Sequence, residues 1–281
     1  MNIERISICG AGTMGSGIAQ ITATAGLYAI LYERDEKILE KATTGIEKNL
    51  QALVDKNKMT PEEKNEIFER IQFTNDIDNC ISDIIIEAII ERIEIKIALF
   101  NQLSEINHSE SIFATNTSSL SITKIAEQVK HPERVIGMHF FNPAPLMKLV
   151  EIVKTKYTNE NTIQITFEIG KKLGKTPAIC KDAPGFIVNR VARPYYIESL
   201  RLVENGEADY STIDSLMEET GFKMGPFKLM DLIGNDVNYA VSCSIFEQLN
   251  RPERLKPSII QKQIVEEGSL GRKAGKGYYK Y

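Results

Sequence analysis

The stretch Gly137-Met138-His139-Phe140-Phe141-Asn142-Pro143, running on to Lys148-Leu149-Val150-Glu151-Ile152, sets a histidine, an amide and a carboxylate among apolar neighbours. Imidazole titrates near neutrality, and a carboxylate held against one ring nitrogen fixes its tautomer and stabilises its charged form. Such a pair can take a proton from an alcohol or return one to a carbonyl oxygen. An incidental core histidine, hydrogen-bonded and inert, would leave the same pattern in this stretch alone. The remainder of the chain has to decide between the two.

A second stretch with chemical content lies near the start. Residues 6–9 (Ile-Ser-Ile-Cys) read as a short buried strand, and Gly10-Ala11-Gly12-Thr13-Met14-Gly15 as a glycine-rich turn. Ile18, Ala19, Ile21, Thr22 and Ala25 then form one face of a helix, and a second strand over residues 28–32 finishes at Glu33. Gly10 permits the tight turn, Gly12 lets the backbone approach a pyrophosphate, and Gly15 lets the helix pack closely on the strand. The helix N-terminus at Thr13 and Met14 offers N–H groups to phosphate, and Glu33 is placed to receive ribose hydroxyls. A carboxylate there favours NAD and repels the 2′-phosphate of NADP. Arg34, its neighbour, could serve that phosphate instead.

The elements that position these residues follow from pattern. Residues 36–58 read as a helix with many lysines, and Thr60-Pro61-Glu62-Glu63 as a capping box that opens another. The two are too long for a minimal crossover. They form an excursion that either carries a basic face to an anionic ligand or is a solvated lysine face. Apolar strands are expected over 84–88, 111–114, 134–138, 149–153 and 177–180, interleaved with helices over 93–106 and 158–172. The polar cluster Thr115-Asn116-Thr117-Ser118-Ser119 falls at the end of one of these strands, where open α/β sheets bind ligands. At least seven strands alternating with helices make a doubly wound α/β sheet. Strand patterns stop at Asp182-Ala183-Pro184-Gly185. Helices are expected over 186–205, 211–220, 229–249 and 258–267. The expected domains are therefore a cofactor-binding sheet over 1–182 and an all-helical substrate or dimerisation domain over 183–281, whose apolar helix faces suggest a homodimer.

The totals bound the function. The chain has 281 residues, 42% of them apolar and 26% charged, which suits an ordinary globular protein of two domains. A formal net charge of −4 gives no electrostatic case for nucleic acid or an anionic membrane as partner. No apolar run approaches the ~20 residues of a membrane span. The first residues read directly as strand pattern, so no signal peptide is expected, and the four cysteines, Cys9, Cys80, Cys180 and Cys243, show no metal or redox spacing. The expectation is a cytoplasmic protein with reduced thiols and no metal site.

Taken together the motifs resemble those of the 3-hydroxyacyl-CoA dehydrogenases over essentially the whole chain. The resemblance rests on GAGTMGSGIAQ at 10–20, EAIIER at 87–92, TNTSSLSIT at 115–123, GMHFFNPAPLMKLVEIV at 137–153, DAPGFIVNR at 182–190, MGPFKLMD at 224–231 and GRKAGKGYYKY at 271–281. It implies a Rossmann-type NAD domain and an oxidoreductase that interconverts (S)-3-hydroxybutyryl-CoA and acetoacetyl-CoA. It further implies His139 as general base, Glu151 as its partner, Ser118 beside substrate and nicotinamide, Asn189 beside the substrate carbonyl and Asn142 lining the site. Glu91, Lys96, Asn116 and Lys273 would contact the cofactor, and Asn49 and Lys56 the CoA. Three positions depart from the commonest family residues: Glu33 replaces an aspartate, Asn49 a serine found in some relatives, and Thr115 a serine. The rival readings are a dehydrogenase of a hydroxy acid without CoA, and a non-catalytic NAD-binding scaffold. The lysine-bearing excursion argues against the first, and the joint presence of Ser118, His139, Glu151 and Asn189 against the second.

Overall fold

Runs such as Ile84-Ile85-Ile86, fully buried on both faces, can only be interior strands of a sheet covered on both sides. The computed structural model, which describes residues 3–281, shows that sheet. The first part of the chain runs β1 (Arg5–Cys9), α1 (Thr13–Thr24), β2 (Tyr28–Tyr32), α2 (Glu36–Asp55), α3 (Pro61–Glu69), β3 (Ile71–Thr74), β4 (Ile84–Glu87), α4 (Ile93–Ile106), β5 (Ile112–Thr115), α5 (Ile122–Ala126), β6 (Val135–Phe140), β7 (Leu149–Lys154), α6 (Glu160–Lys172) and β8 (Thr176–Lys181). The strand order is β3-β2-β1-β4-β5-β6-β7-β8. Neighbours are parallel except β6 and β7, which run antiparallel. This is the doubly wound sheet expected from the pattern. Ile8, Ile18, Leu31, Ile86 and Ile136 share its core with Ile46 and Leu50 of α2.

The excursion between β2 and β3 is anchored as its sequence requires. Thr60 Oγ1 accepts the Glu63 N–H at 3.1 Å and Glu63 Oε2 accepts the Thr60 N–H at 2.8 Å, the reciprocal bonds of a capping box. The two helices do not simply loop out and back, however. They lead into β3, a strand that the sequence pattern does not announce. It has four residues, Ile71-Gln72-Phe73-Thr74, and pairs with β2 alone. So short an edge strand carries too little alternation to stand out.

The chain divides into two compact units between Asp182 and Ala183. The second contains α7 (Val188–Glu204), α8 (Tyr210–Glu219), α9 (Pro226–Ile233), α10 (Asn235–Gln248) and α11 (Ile259–Glu266). The single helix expected over 229–249 is two, because Gly234 between them adopts φ +103°, outside any helix. Among the described residues no helix is long and apolar enough to cross a membrane.

Two buried carboxylates organise this helical unit. Asp214 of α8 accepts the Phe227 and Lys228 N–H groups at 2.9 and 3.0 Å, capping α9 from outside. Asp231 of α9 accepts the Tyr278 and Tyr279 N–H groups at 3.0 Å each, the Asn235 amide at 2.8 Å and the Tyr281 hydroxyl at 3.1 Å. A Cβ on Gly277 would stand 1.9 Å from Asp231 Oδ1, so only glycine lets the C-terminal segment wrap that carboxylate. The motifs at 224–231 and 271–281 are thus two halves of one packing device, with Phe227, Met230 and Tyr278 beside it in the core.

Removing the Asp231 carboxylate would orphan two backbone donors, each costing ~1–3 kcal/mol when buried. Asp231→Ala is expected to destabilise the helical unit by about 3 kcal/mol or more. Denaturant unfolding followed by circular dichroism measures this, and a loss below about 1 kcal/mol would deny Asp231 that organising role.

Candidate active site

The antiparallel turn from β6 to β7 sets His139 directly opposite Glu151 in the strand register. Their apolar neighbours Met138, Val150 and Ile152 are fully buried and hold that register. His139 is 6% exposed and Glu151 not at all, and His139 Nδ1 lies 2.7 Å from Glu151 Oε2. A carboxylate can only accept, so Nδ1 carries the proton and Nε2 is the nitrogen that can take one up. The Phe141 ring packs against the imidazole at 4.5 Å between centroids. Asn142 follows on the surface, joined to Pro143 by a cis peptide bond.

The end of β5 lies beside β6. Asn116 Oδ1 accepts the Phe140 N–H at 2.9 Å and so ties the two strand ends together. Ser118 is half-buried in the following loop, and its N–H donates to Glu91 Oε1 at 3.2 Å. The same oxygen accepts the Ser119 hydroxyl at 3.0 Å and the Thr117 hydroxyl. Lys96 is 1% exposed and makes ion pairs with Glu91 Oε2 at 3.1 Å and with Glu87 Oε1 at 2.5 Å. Glu87 Oε2 accepts the Thr115 hydroxyl at 2.6 Å. Burial raises the Glu87 carboxyl above its usual range despite Lys96 and Thr115. Burial also works against the Glu91 carboxylate, but Lys96 and the hydroxyls of Thr117 and Ser119 outweigh it and hold that group below its usual range. Sequence reasoning gives no separate role to Glu87 or to the hydroxyls of Thr115 and Thr117. The available signal is an acid closing an otherwise apolar buried run.

The glycine turn has the shape a dinucleotide needs. Gly10 has φ +105°, and a Cβ there would meet the Ala88 carbonyl oxygen at 2.6 Å. A Cβ on Gly15 would stand 1.7 Å from the Gly10 oxygen. Gly12 differs: φ is −67° and a Cβ would meet nothing within 4 Å. Packing within the protein does not ask for glycine at that position, whereas close approach by a ligand does. The start of α1, with Thr13 exposed and Met14 half-buried, carries no side-chain cap. Glu33 follows β2 and accepts the Ala11 N–H at 3.1 Å and the Asp35 N–H at 3.2 Å, so its carboxylate sits on the rim of the turn. Arg34 is exposed. These residues fit a dinucleotide held by backbone N–H groups and an acidic side chain.

The other expected residues lie elsewhere. Asn49 on α2 and Lys56 at its C-terminal cap are exposed and about two helical turns apart, on one face. Asn189 is half-buried in the first turn of α7, in the second unit. Lys273 belongs to the C-terminal wrap of that unit, its ammonium 2.6 and 2.7 Å from the two Asp236 oxygens. Of the other histidines, His131 pairs with Glu133 at 3.3 Å, and His108 is exposed just beyond the end of α4. Among the described residues no cluster of potential metal ligands occurs.

A family model described as 3-hydroxyacyl-CoA dehydrogenase, NAD binding domain, matches residues 5–183, and that of the C-terminal domain matches residues 185–281. The 3-hydroxyadipyl-CoA dehydrogenase of Escherichia coli is 44% identical over 281 residues, covering 99% of this chain but only 59% of its own length. The mitochondrial hydroxyacyl-coenzyme A dehydrogenase of Sus scrofa is 39% identical over 287 residues, covering 99% of this chain and 91% of that protein. The crystal structure of (S)-3-hydroxybutyryl-CoA dehydrogenase from Ralstonia eutropha superposes with a TM-score of 0.95 at 35% identity, covering 100% of this chain and 99% of the other.

The three glycines can be told apart by experiment. Gly12→Ala should leave thermal stability within about 0.5 kcal/mol of wild type, as for an open surface position, yet weaken NADH binding by ~10-fold or more. Gly15→Ala should destabilise the fold by about 2 kcal/mol or more through the clash at Gly10. Thermal unfolding and NADH fluorescence titration read both. Unchanged NADH affinity in Gly12→Ala would remove the cradle from this site.

Proposed function

This chain belongs to the 3-hydroxyacyl-CoA dehydrogenases, NAD-dependent oxidoreductases, and from that premise we propose that it interconverts (S)-3-hydroxybutyryl-CoA and acetoacetyl-CoA with His139 as general base and acid. The observation that carries the reading is the buried pair of His139 Nδ1 and Glu151 Oε2 at 2.7 Å. Bound NAD supplies the hydride acceptor for the carbon that bears the hydroxyl. In that direction His139 Nε2 takes the hydroxyl proton, while Glu151 keeps the ring oriented and stabilises its charged form. In the reverse direction the imidazolium returns the proton to the ketone oxygen. Ser118 positions that oxygen, the family resemblance alone assigns Asn189 to the same task, and Asn142 lines the reacting end.

Selectivity has separate sources. Asn49 and Lys56 share a solvent face of the excursion, which suits contacts to the CoA moiety made far from the reacting carbon. Glu91, Lys96 and Asn116 hold the cofactor side of the site. Lys273, which the family resemblance alone assigns to the cofactor, is held in an ion pair with Asp236. The helical unit leaves Val191, Leu216, Phe222 and Ile259 at least half exposed, which supports a homodimer through that unit.

Steady-state assays of NADH oxidation test the substrate class. Acetoacetyl-CoA is expected to be turned over well and free acetoacetate poorly. A preference for the dicarboxylic 3-oxoadipyl-CoA would move the reading towards the Escherichia coli relative, and equal use of free acetoacetate would sink the CoA assignment. His139→Gln is expected to fold and bind NADH nearly as wild type while turnover drops by ~10²-fold or more. Turnover within a few-fold of wild type, with chemistry limiting the rate, would overturn the assignment of the base.

Cofactor choice follows from Glu33. Its carboxylate would lie close to a 2′-phosphate, a repulsion of about 1–4 kcal/mol at a partly exposed site. The same group gains a charge-assisted hydrogen bond from the ribose hydroxyls of NAD. NADH is therefore expected to outperform NADPH by ~10-fold or more in catalytic efficiency, and Glu33→Ala to narrow the gap. Equal or better use of NADPH by wild type would show that Arg34 governs the pocket.

A further inference from the structure

Glu87 is a buried acid that the proton transfer does not use. It closes β4, pairing with Cys9 of β1 on one side and Thr115 of β5 on the other, where the strand order turns from one half of the sheet to the other. That is the place at which open α/β sheets receive ligands. Its Oε1 accepts from Lys96 at 2.5 Å and from the Ile89 N–H at 2.8 Å, and its Oε2 from Thr115 at 2.6 Å. Lys96, so held, presents its ammonium to Glu91 Oε2 at 3.1 Å. The other oxygen of Glu91 gathers the Thr117 hydroxyl, the Ser118 N–H and the Ser119 hydroxyl. Thr117 Oγ1 in turn accepts the Ser119 and Leu120 N–H groups at 3.3 and 3.0 Å. An unbroken run of charged and hydroxyl groups therefore joins the interior of β4 to the loop that carries Ser118.

We propose that Glu87 is a positioning residue: acting through Lys96, it fixes the Glu91 carboxylate and with it the conformation of residues 117–120 that receives the cofactor. The geometry gives the reason. Lys96 is 1% exposed and Glu91 keeps 39% of its side-chain surface, so Glu91 alone leaves the ammonium poorly compensated. A buried ammonium without a full complement of partners withdraws towards water or loses its proton. Either outcome releases Glu91. The cost of burying two charges at Glu87 and Lys96 is matched to a loop that must hold one arrangement among several polar alternatives. The identity of the cofactor rests on the dehydrogenase reading above, whereas the ordering of the loop does not.

The test is a double-mutant cycle on the full chain with Glu87→Gln, Lys96→Met and both together, read by amide hydrogen exchange over residues 117–120 and by NADH fluorescence titration. Glutamine keeps the shape and an acceptor but not the charge. Glu87→Gln is expected to speed exchange in this loop by ~10-fold or more and to weaken NADH binding by a similar factor. In the Lys96→Met background the same change should add less than about twofold, because the effect passes through Lys96. Unchanged loop exchange in Glu87→Gln, or fully additive effects in the double variant, would overturn the proposal. If Glu87→Gln does not fold, Glu87→Asp, which withdraws the carboxylate by one methylene, takes its place: faster exchange over 117–120 supports the proposal and unchanged exchange overturns it. A wild-type protein inactive on acetoacetyl-CoA would refute the functional reading and leave the exchange result to stand by itself, since no substrate enters that measurement.

Discussion

A carboxylate that water cannot reach must find its partners within the protein, and Glu151, with no exposed surface, faces His139 Nδ1 at 2.7 Å. Much of the sheet can be understood from that requirement. β7 reverses direction relative to β6, and the reversal brings residues twelve apart in sequence into direct opposition. The pair keeps its geometry only while the register holds. A slip of one residue would turn Glu151 to the other face and His139 away from it. What prevents the slip is ordinary packing: Met138, Val150, Ile152 and Val153 are all fully buried. The geometry of the pair thus depends on the burial of aliphatic side chains that make no contact of this kind themselves.

The same constraint recurs at the end of β4, where Glu87 is also fully buried. Here the partner is an ammonium, and the surplus hydrogen-bonding capacity goes to a threonine hydroxyl. Thr115 stands where the family resemblance leads one to expect serine. The group in use is the hydroxyl that donates to Glu87 at 2.6 Å, which both residues possess. Glu87 closes β4, whereas Glu151 lies within β7 opposite the penultimate residue of β6, so each is held by a rigid β-ladder. Strand ends combine fixed backbone with access to loops, which is the combination a site needs.

Much of this is legible in the sequence, because the signals are local. The glycine turn, the capping box at Thr60 and the run of short apolar strands each follow from a few neighbouring residues. The pairing of His139 with Glu151 is legible because one turn connects their strands. What escapes is either too short or too distant. β3 has four residues and one neighbour. The break at Gly234 looks like a tolerated glycine inside an apolar periodic run, and its φ of +103° becomes apparent only once the C-terminal segment is seen to pack around Asp231. Glu87 is hidden because its partners Lys96 and Thr115 come from two other elements, and nothing in the spacing joins them. In the C-terminal GRKAGKGYYKY motif the lysine draws the eye, whereas the glycines and tyrosines make the packing. Lys273 itself is paired with Asp236 at the surface.

The partners of the buried acids differ between the two units. In the sheet unit, Glu151 faces an imidazole nitrogen and Glu87 a lysine ammonium. In the helical unit, Asp214 and Asp231 face backbone N–H groups, an amide and tyrosine hydroxyls. None of these exchanges a proton near neutrality. Burial, together with the Asp214 carboxylate, pushes the Tyr279 hydroxyl well above the usual tyrosine range and removes it further from titration. Equal burial therefore serves opposite ends. A carboxylate against a basic nitrogen completes a charge-assisted pair, and a carboxylate against amides is a fastener. Sequence motifs that look equally specific in this chain divide along that line: GMHFFNP with KLVE and EAIIER with TNTSS join buried carboxylates to nitrogen bases, whereas MGPFKLMD with GRKAGKGYYKY closes a helical fold on itself.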